Sequence, residues 1–198
     1  MGLRETKAAR SRARMVDAAI ELFERDGYDA TTMEQIAERA EVGTTTLYRY
    51  FPSKDLLLLD RLTTAIEIAP HLRDRPADEP LEHSLAHVLL EIADTVDDPE
   101  GRIPELRRII DASAAPRAKL WDYYRTAREE LEGVLADRLG EDAASLTVRV
   151  TAGMTLELLQ LIDEISRAGD YSRSHGEITR DVLGDLSDAR IVLPSVPV

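Results

Sequence analysis

The stretch TMEQIAERAEVGTTTLYRYF at residues 32–51 constrains this chain most, because it has room for two short helices and only a tight turn between them. Ile36, Ala37, Ala40, Val42 and Leu47 are its apolar set. Thr32, followed three residues later by Gln35, is a capping-box start for a helix through Ala40. Ala37 is small enough to let the second helix, Thr44 to Phe51, cross the first closely. The polar positions of that second helix, Thr44, Thr45, Thr46, Tyr48, Arg49 and Tyr50, are all hydrogen-bonding types. This is the pattern of a helix-turn-helix, whose second helix enters a DNA major groove by its N-terminal end. An ordinary helical hairpin shares the pattern.

Helical periodicity continues on both sides. Met15, Ala19, Leu22 and Phe23, with Val16 and Ile20, form an apolar stripe that Gly27 ends. Pro52 and Ser53 interrupt the pattern, and Ser53 predicts the N-cap of a long helix through about Ile68, buried along Leu56, Leu57, Leu59, Leu62 and Ile66. The three prolines of PHLRDRPADEP, Pro70 to Pro80, predict a loop. Further helices are expected at about 81–97, 103–114, 117–139, 143–168 and 174–190, separated by DDPEGRIP, AAP, GED and GDYSR. No stretch sustains strand alternation, so the chain reads as all-α, without repeats.

A chain of 198 residues buries a real core in one or two domains. Its net charge of −13 argues against nonspecific coating of nucleic acid, until the charge is located. Residues 1–54 hold nine basic and nine acidic side chains, whereas residues 55–198 hold 16 basic and 29 acidic. In the first fourteen residues Arg4, Lys7, Arg10, Arg12 and Arg14 face only Glu5, the asymmetry of an arm that meets a polyanion or of a solvated tail. The division is therefore 1–54, a helix-turn-helix domain with a basic arm, and 55–198, an acidic helical domain. The absence of cysteine excludes disulfide scaffolds, thiol nucleophiles and cysteine-ligated metals. With no apolar run of membrane-spanning length and no secretion signal pattern, a cytoplasmic location is expected.

The chain resembles TetR-type (tetracycline-repressor-like) transcriptional regulators. The resemblance rests on Ile20 to Phe23 with Gly27-Tyr28, on Thr31-Thr32 before Ile36-Ala37, and on Val42 ahead of Thr46-Leu47-Tyr48-Arg49-Tyr50-Phe51 with Lys54 beyond. It covers about the first quarter of the chain. One departure is Glu41 at the turn position commonly held by glycine, with Gly43 where the family often has a serine cap. A left-handed non-glycine residue costs on the order of 1 kcal/mol, and glycine caps almost as well as serine.

The resemblance implies a three-helix N-terminal DNA-binding domain, followed by an all-helical domain that binds an effector and dimerises. Within it, Thr44, Thr45 and Arg49 are placed at base edges, where arginine takes guanine bidentately and threonine methyls suit thymine. Thr32, Thr46, Tyr48, Tyr50, Lys54, Arg10 and Arg14 are candidates for phosphate contacts, and Phe51 is assigned to packing. The other arm residues, Arg4, Lys7 and Arg12, would add salt-sensitive affinity.

Residues 143–168 carry two apolar stripes, Leu146, Val150, Met154, Leu158, Leu161 and Ile165, and Val148, Ala152, Leu156, Leu159 and Ile162. A helix apolar on two sides is buried on two sides. Its own core takes one stripe and a second copy the other, with the last helix (Ile178, Val182, Leu186, Ala189) completing the interface; a central helix of a monomer is the alternative. Arg107, Trp121, Tyr124, Arg128, Met154 and Leu158 are the candidate lining of a mostly apolar effector pocket, with ordinary core packing the alternative for each taken singly, and the stretch ELRRIIDASAAPRAKLWDYYR resembles regulators of lipid or acyl-thioester metabolism. His83 and His87 read as a solvated face rather than a metal site. No phosphate loop or nucleophile elbow occurs, so neither enzyme, metal nor cofactor is expected. The expectation is thus a homodimeric repressor released from a palindromic operator by a small molecule. An all-helical homodimeric protein-interaction module without sequence-specific DNA binding is the rival.

Overall fold

A computed structural model describes residues 3–64, 67–96, 103–169 and 171–188, with the backbone alone for residues 3–5, 61 and 64. Ile66, Ala189, most of the segment 97–104 and the Arg4 side chain lie outside the described residues. Among those described there are ten helices and no strand: α1 (Leu3–Asp26), α2 (Met33–Arg39), α3 (Thr44–Tyr50), α4 (Lys54–Thr64), α5 (Ile68–Asp74), α6 (Leu81–Val96), α7 (Ile103–Ala112), α8 (Ala114–Leu139), α9 (Leu146–Ala168) and α10 (His175–Asp188). None of them is long and apolar enough to cross a membrane.

The basic leader is no separate arm, since α1 runs through it as a continuous helix of 24 residues. Its alanine, arginine and glutamate composition has high helix propensity. The second half of α1 buries Met15, Val16, Ala19, Ile20, Leu22 and Phe23. Gly27, at φ +87°, then accepts the left-handed turn that ends the helix.

The segment expected as a loop from Pro70 contains helix α5. Pro70 is the third residue of α5, and Pro116 is likewise the third of α8. In a first turn the backbone N–H has no intrahelical partner, so proline costs nothing there. Neither proline therefore breaks its helix, and α5 is held by the burial of Ile68, Ala69 and Leu72 against α6 and α8. The long helix expected from Ser53 through Ile68 is accordingly two elements, α4 and α5.

One core runs from Met15 to Leu156 without a break at residue 54. Leu57, Leu58, Leu59 and Leu62 are all buried, so α4 packs on α1 on one side and on α7 and α8 on the other. At Gly176, α10 crosses α6 so closely that a Cβ there would come within 2.9 Å of Asp94 Oδ1.

Arg138 of α8 holds the turn between α5 and α6. Its guanidinium donates to the carbonyls of Leu72, Arg75, Pro76 and Glu79 and to Ser84 Oγ, at 3.0–3.5 Å. The Glu79 carboxylate accepts from Arg75 Nε at 2.8 Å and from Ser84 Oγ at 2.7 Å, and lies 3.0 Å from His87 Nδ1. The bond from Arg75, then that from Ser84, holds the Glu79 carboxyl well below its ordinary value, at about 2. A carboxyl with a depressed folded value contributes stability above its unfolded value near 4.5, and that contribution is lost as pH falls toward 2. Glu79→Gln is therefore expected to melt below the wild type at neutral pH and to converge with it as the solution is acidified to about pH 2, followed by circular dichroism.

Candidate nucleic-acid interface and effector cavity

Helices α2 and α3 are held by Ile36, Ala37, Ala40 and Leu47, all buried. The capping box exists as expected: Gln35 N donates to Thr32 Oγ1 at 3.2 Å, and Thr32 N donates to Gln35 Oε1 at 2.8 Å. The turn is a Schellman closure, with Glu41 N donating to Glu38 O (3.1 Å) and Val42 N to Ala37 O (3.0 Å). Glu41 takes the left-handed conformation, φ 54°, that a glycine would take without strain, and Gly43 serves as the N-cap of α3. The departure from the family pattern thus leaves the turn's hydrogen bonding complete.

On α3, Thr45, Tyr48 and Arg49 are exposed, and Thr44, Thr46 and Tyr50 are half-buried. Tyr48 is exposed at 43%, whereas Phe51, assigned to packing, is core at 1%. The Arg49 guanidinium lies 5.7 Å from the Tyr50 ring centroid. Thr32 is exposed, and because its oxygen only accepts in the capping box its own O–H is left to donate.

Two cations assigned to phosphate are engaged within the fold. Lys54 Nζ donates to the carbonyls of Tyr28 (2.6 Å), Thr31 (3.1 Å) and Asp29 (3.3 Å) and lies 4.3 Å from the Tyr28 ring centroid. All three of its donors are taken within the fold, which leaves no N–H over for a phosphate. Arg14 donates to the carbonyl of Ala40, the C-cap of α2. Arg12 pairs with Asp60 of α4 and covers the Phe51 ring at 4.6 Å, while Arg10 is exposed. Beside Lys54, Tyr28 donates to Asp55, and burial together with that carboxylate raises the phenol far above its ordinary value.

In the body, α4, α6, α7, α8, α9 and α10 converge on a cavity of about 30 Å³, room for the centres of one or two water molecules. Its apolar wall is Leu62, Leu89, Ile92, Ala93, Val96, Leu159 and Ile162; its polar end is Arg107, Tyr124, Asp163, His175 and Thr179. Arg107 Nη2 meets Asp163 Oδ1 at 3.0 Å, and both side chains are almost wholly buried. The Tyr124 hydroxyl accepts from the same guanidinium, and burial raises the phenol. Asp163 Oδ2 lies 3.2 Å from Arg167 Nε, an ion pair by distance without an aligned hydrogen bond, and Arg167 Nη1 reaches Asp111 Oδ2 at 3.3 Å. Burial and then Asp163 push the Tyr171 phenol up to about 12.

Of the six residues expected to line a pocket, the structure brings Arg107 and Tyr124 to this cavity. Trp121 (62% exposed), Arg128, Met154 and Leu158 stand outside it. Trp121 and Arg128 share an outer edge of α8, whose buried line is Leu120, Ala127, Leu131 and Leu135. Met154 and Leu158 sit on the stripe of α9 that turns away from Leu159, Ile162 and Asp163. Sequence reasoning missed Asp163, His175 and Thr179. A lone carboxylate next to Ile162, on the apolar side of a helix, was the readable signal, because such a charge needs a buried partner.

The two-stripe reading of α9 matches the structure. Val148, Ala152, Leu156 and Ile162 are buried, while Leu146 (79%), Val150 (43%), Met154, Leu161 and Ile165 are exposed. In α10, Ile178 is buried and Val182 and Leu186 are half-buried.

Residues 15–60 match the bacterial regulatory proteins of the tetR family. The HTH-type transcriptional repressor KstR of Rhodococcus jostii (strain RHA1) is 44% identical over 72 residues, 36% of this chain and 34% of that protein. The HTH-type transcriptional regulator TcmR of Streptomyces glaucescens is 32% identical over 142 residues, 68% of this chain and 61% of it. The chain thus aligns with between a third and three fifths of the length of these curated relatives. Two solved structures share the fold at low identity. The fatty acid degradation regulator FadR from Bacillus halodurans has TM-score 0.59 and 17% identity, over 89% of this chain and 94% of that one. FadR from Bacillus subtilis, in complex with stearoyl-CoA, has TM-score 0.57 and 19% identity, over 88% and 96%.

The turn generates a stability test. Glu41→Gly removes the left-handed strain and is expected to raise stability by about 0.5–1 kcal/mol. Glu41→Ala keeps the strain and should give little or no gain; urea titrations of the three proteins make the comparison.

Proposed function

Because this chain belongs to the TetR family of bacterial regulatory proteins, we propose that it is a homodimeric DNA-binding transcriptional repressor whose operator affinity is lowered by a small molecule bound in the body. Thr44, Thr45 and Arg49 read base edges, while Thr32, Thr46, Tyr48, Tyr50 and Arg10 contact phosphates and fix the register. Lys54 and Arg14 serve this surface by holding the loops that frame it. The neutral N-terminal quarter approaches the duplex while the acidic body is repelled from it, which disfavours off-register contact.

One observation carries the coupling. Helix α4 begins at Lys54, tied to the connection between α1 and α2, and ends with Leu62 in the cavity wall. A molecule larger than one or two waters enlarges the cavity only by moving its walls, Leu62 included. Displacement of Leu62 moves α4 and with it the recognition helix, so the spacing of the two recognition helices in the dimer changes. The effector then favours the conformation that fits the operator less well, which is the differential affinity that coupling requires. The uncovered stripe of α9, with α10, supplies the dimer contact, and a twofold dimer reads a palindrome.

Selection of bound sequences from random duplex DNA tests the reading, with a palindrome expected to emerge. Arg49→Ala should lower affinity for that sequence by about 1–3 kcal/mol while leaving binding to random DNA nearly unchanged. A stable homodimer that ignores duplex DNA at low salt would instead establish a protein-interaction module. In the same preparation, Val150→Glu combined with Met154→Glu is expected to shift the dimer to monomer in analytical ultracentrifugation and to abolish operator binding, the fold being retained because both positions face solvent.

A further inference from the structure

Reading the cavity as the effector site, we infer that its ligand is an uncharged, mainly apolar molecule bearing a carbonyl-type acceptor, bound to Arg107 while the Arg107–Asp163 pair stays intact.

The charge at the polar end of the cavity is already balanced. Arg107 and Arg167 share Asp163, and Arg167 also reaches Asp111, so two cations meet two anions in one chain of contacts. A ligand carboxylate placed beside Arg107 would add an uncompensated negative charge close to Asp163, where burial makes like charges repel strongly. A ligand cation would meet the same difficulty from Arg107. An uncharged ligand avoids both.

The balanced charge nevertheless leaves a donor over. Arg107 Nε is buried and has no hydrogen-bond partner among the described residues. A buried guanidinium N–H without an acceptor is costly, and a carbonyl oxygen satisfies it without breaking the ion pair. Leu62, Leu89, Ile92, Val96, Leu159 and Ile162 offer the remainder of the ligand only apolar surface. A ketone, ester or thioester carbonyl at the end of a hydrocarbon frame meets all of these conditions.

Heptan-2-one and heptanoate, matched in carbon number and differing in charge, test the inference with the full chain at neutral pH by saturation-transfer NMR titration. The wild type is expected to bind the ketone at least about tenfold more tightly than the carboxylate. Arg107→Lys keeps the charge opposite Asp163 but loses the guanidinium fork, and should weaken ketone binding about tenfold. Asp163→Asn leaves Arg107 with excess positive charge, so the preference should narrow or reverse toward heptanoate. Thermal melts establish that each variant is folded, and Arg107→Lys decides the matter if Asp163→Asn is not. Equal or tighter binding of heptanoate by the wild type overturns the inference, as does failure of the ketone to bind or ketone affinity unchanged in Arg107→Lys. Operator binding is measured separately without either probe. A protein that finds an operator yet prefers heptanoate loses this inference and keeps the regulatory reading, whereas one that prefers the ketone and ignores DNA does the reverse.

Discussion

The ammonium of Lys54 is the contact on which the arrangement of this protein depends. Three carbonyls from the connection between α1 and α2 converge on one nitrogen, and the Tyr28 ring beneath it adds a cation–π contact. Tyr28 in turn donates to Asp55, the next residue of α4, and Arg12 of α1 pairs with Asp60 one turn further on. The start of α4 is thereby fastened to the helix-turn-helix by three polar contacts of different kinds. Without them, the buried leucines of α4 would attach the body to the N-terminal helices by apolar contact alone, which sets no direction. Hydrogen bonds are directional and fix the angle at which α4 leaves.

That angle connects two chemically different regions. The N-terminal quarter is neutral overall and exposes hydroxyls and a guanidinium on α3, while the body holds the whole surplus of negative charge and a cavity whose polar end is internally neutralised. A balanced ion pair next to an apolar wall places more demand on a ligand's charge than on its shape. It also ties α7, through Arg107, to α9, through Asp163, across the polar end of the cavity.

Legibility followed the range of the interactions involved. The capping box of Thr32 and Gln35 and the two faces of α9 depend on residues within a few positions of one another and are legible from spacing, whereas the left-handed turn at Glu41 is placed by the resemblance to TetR-type regulators. The proline-rich segment after Ile68 was misread because proline is a breaker only inside a helix, and whether Pro70 falls inside or in the first turn depends on the burial of Ile68 and Leu72 by α6 and α8. Arg14 and Lys54 read as free cations because their carbonyl partners lie 26 and 23–26 residues away. Trp121 and Met154 read as pocket lining because an aromatic or a methionine beside an apolar stripe has no local mark of facing solvent.

By itself, the sequence determined the helical content, the helix-turn-helix with its polar recognition face, the separation of charge between the two parts and the existence of a second apolar face on α9. These follow from periodicity, capping chemistry and composition, which act over one or two helical turns. Only the tertiary structure decided which cations remain free for a polyanion, where the cavity lies and that Asp163 neutralises Arg107 within it. Residues from six helices meet at that cavity, and no local pattern records which distant side chains a fold brings within 3 Å of one another.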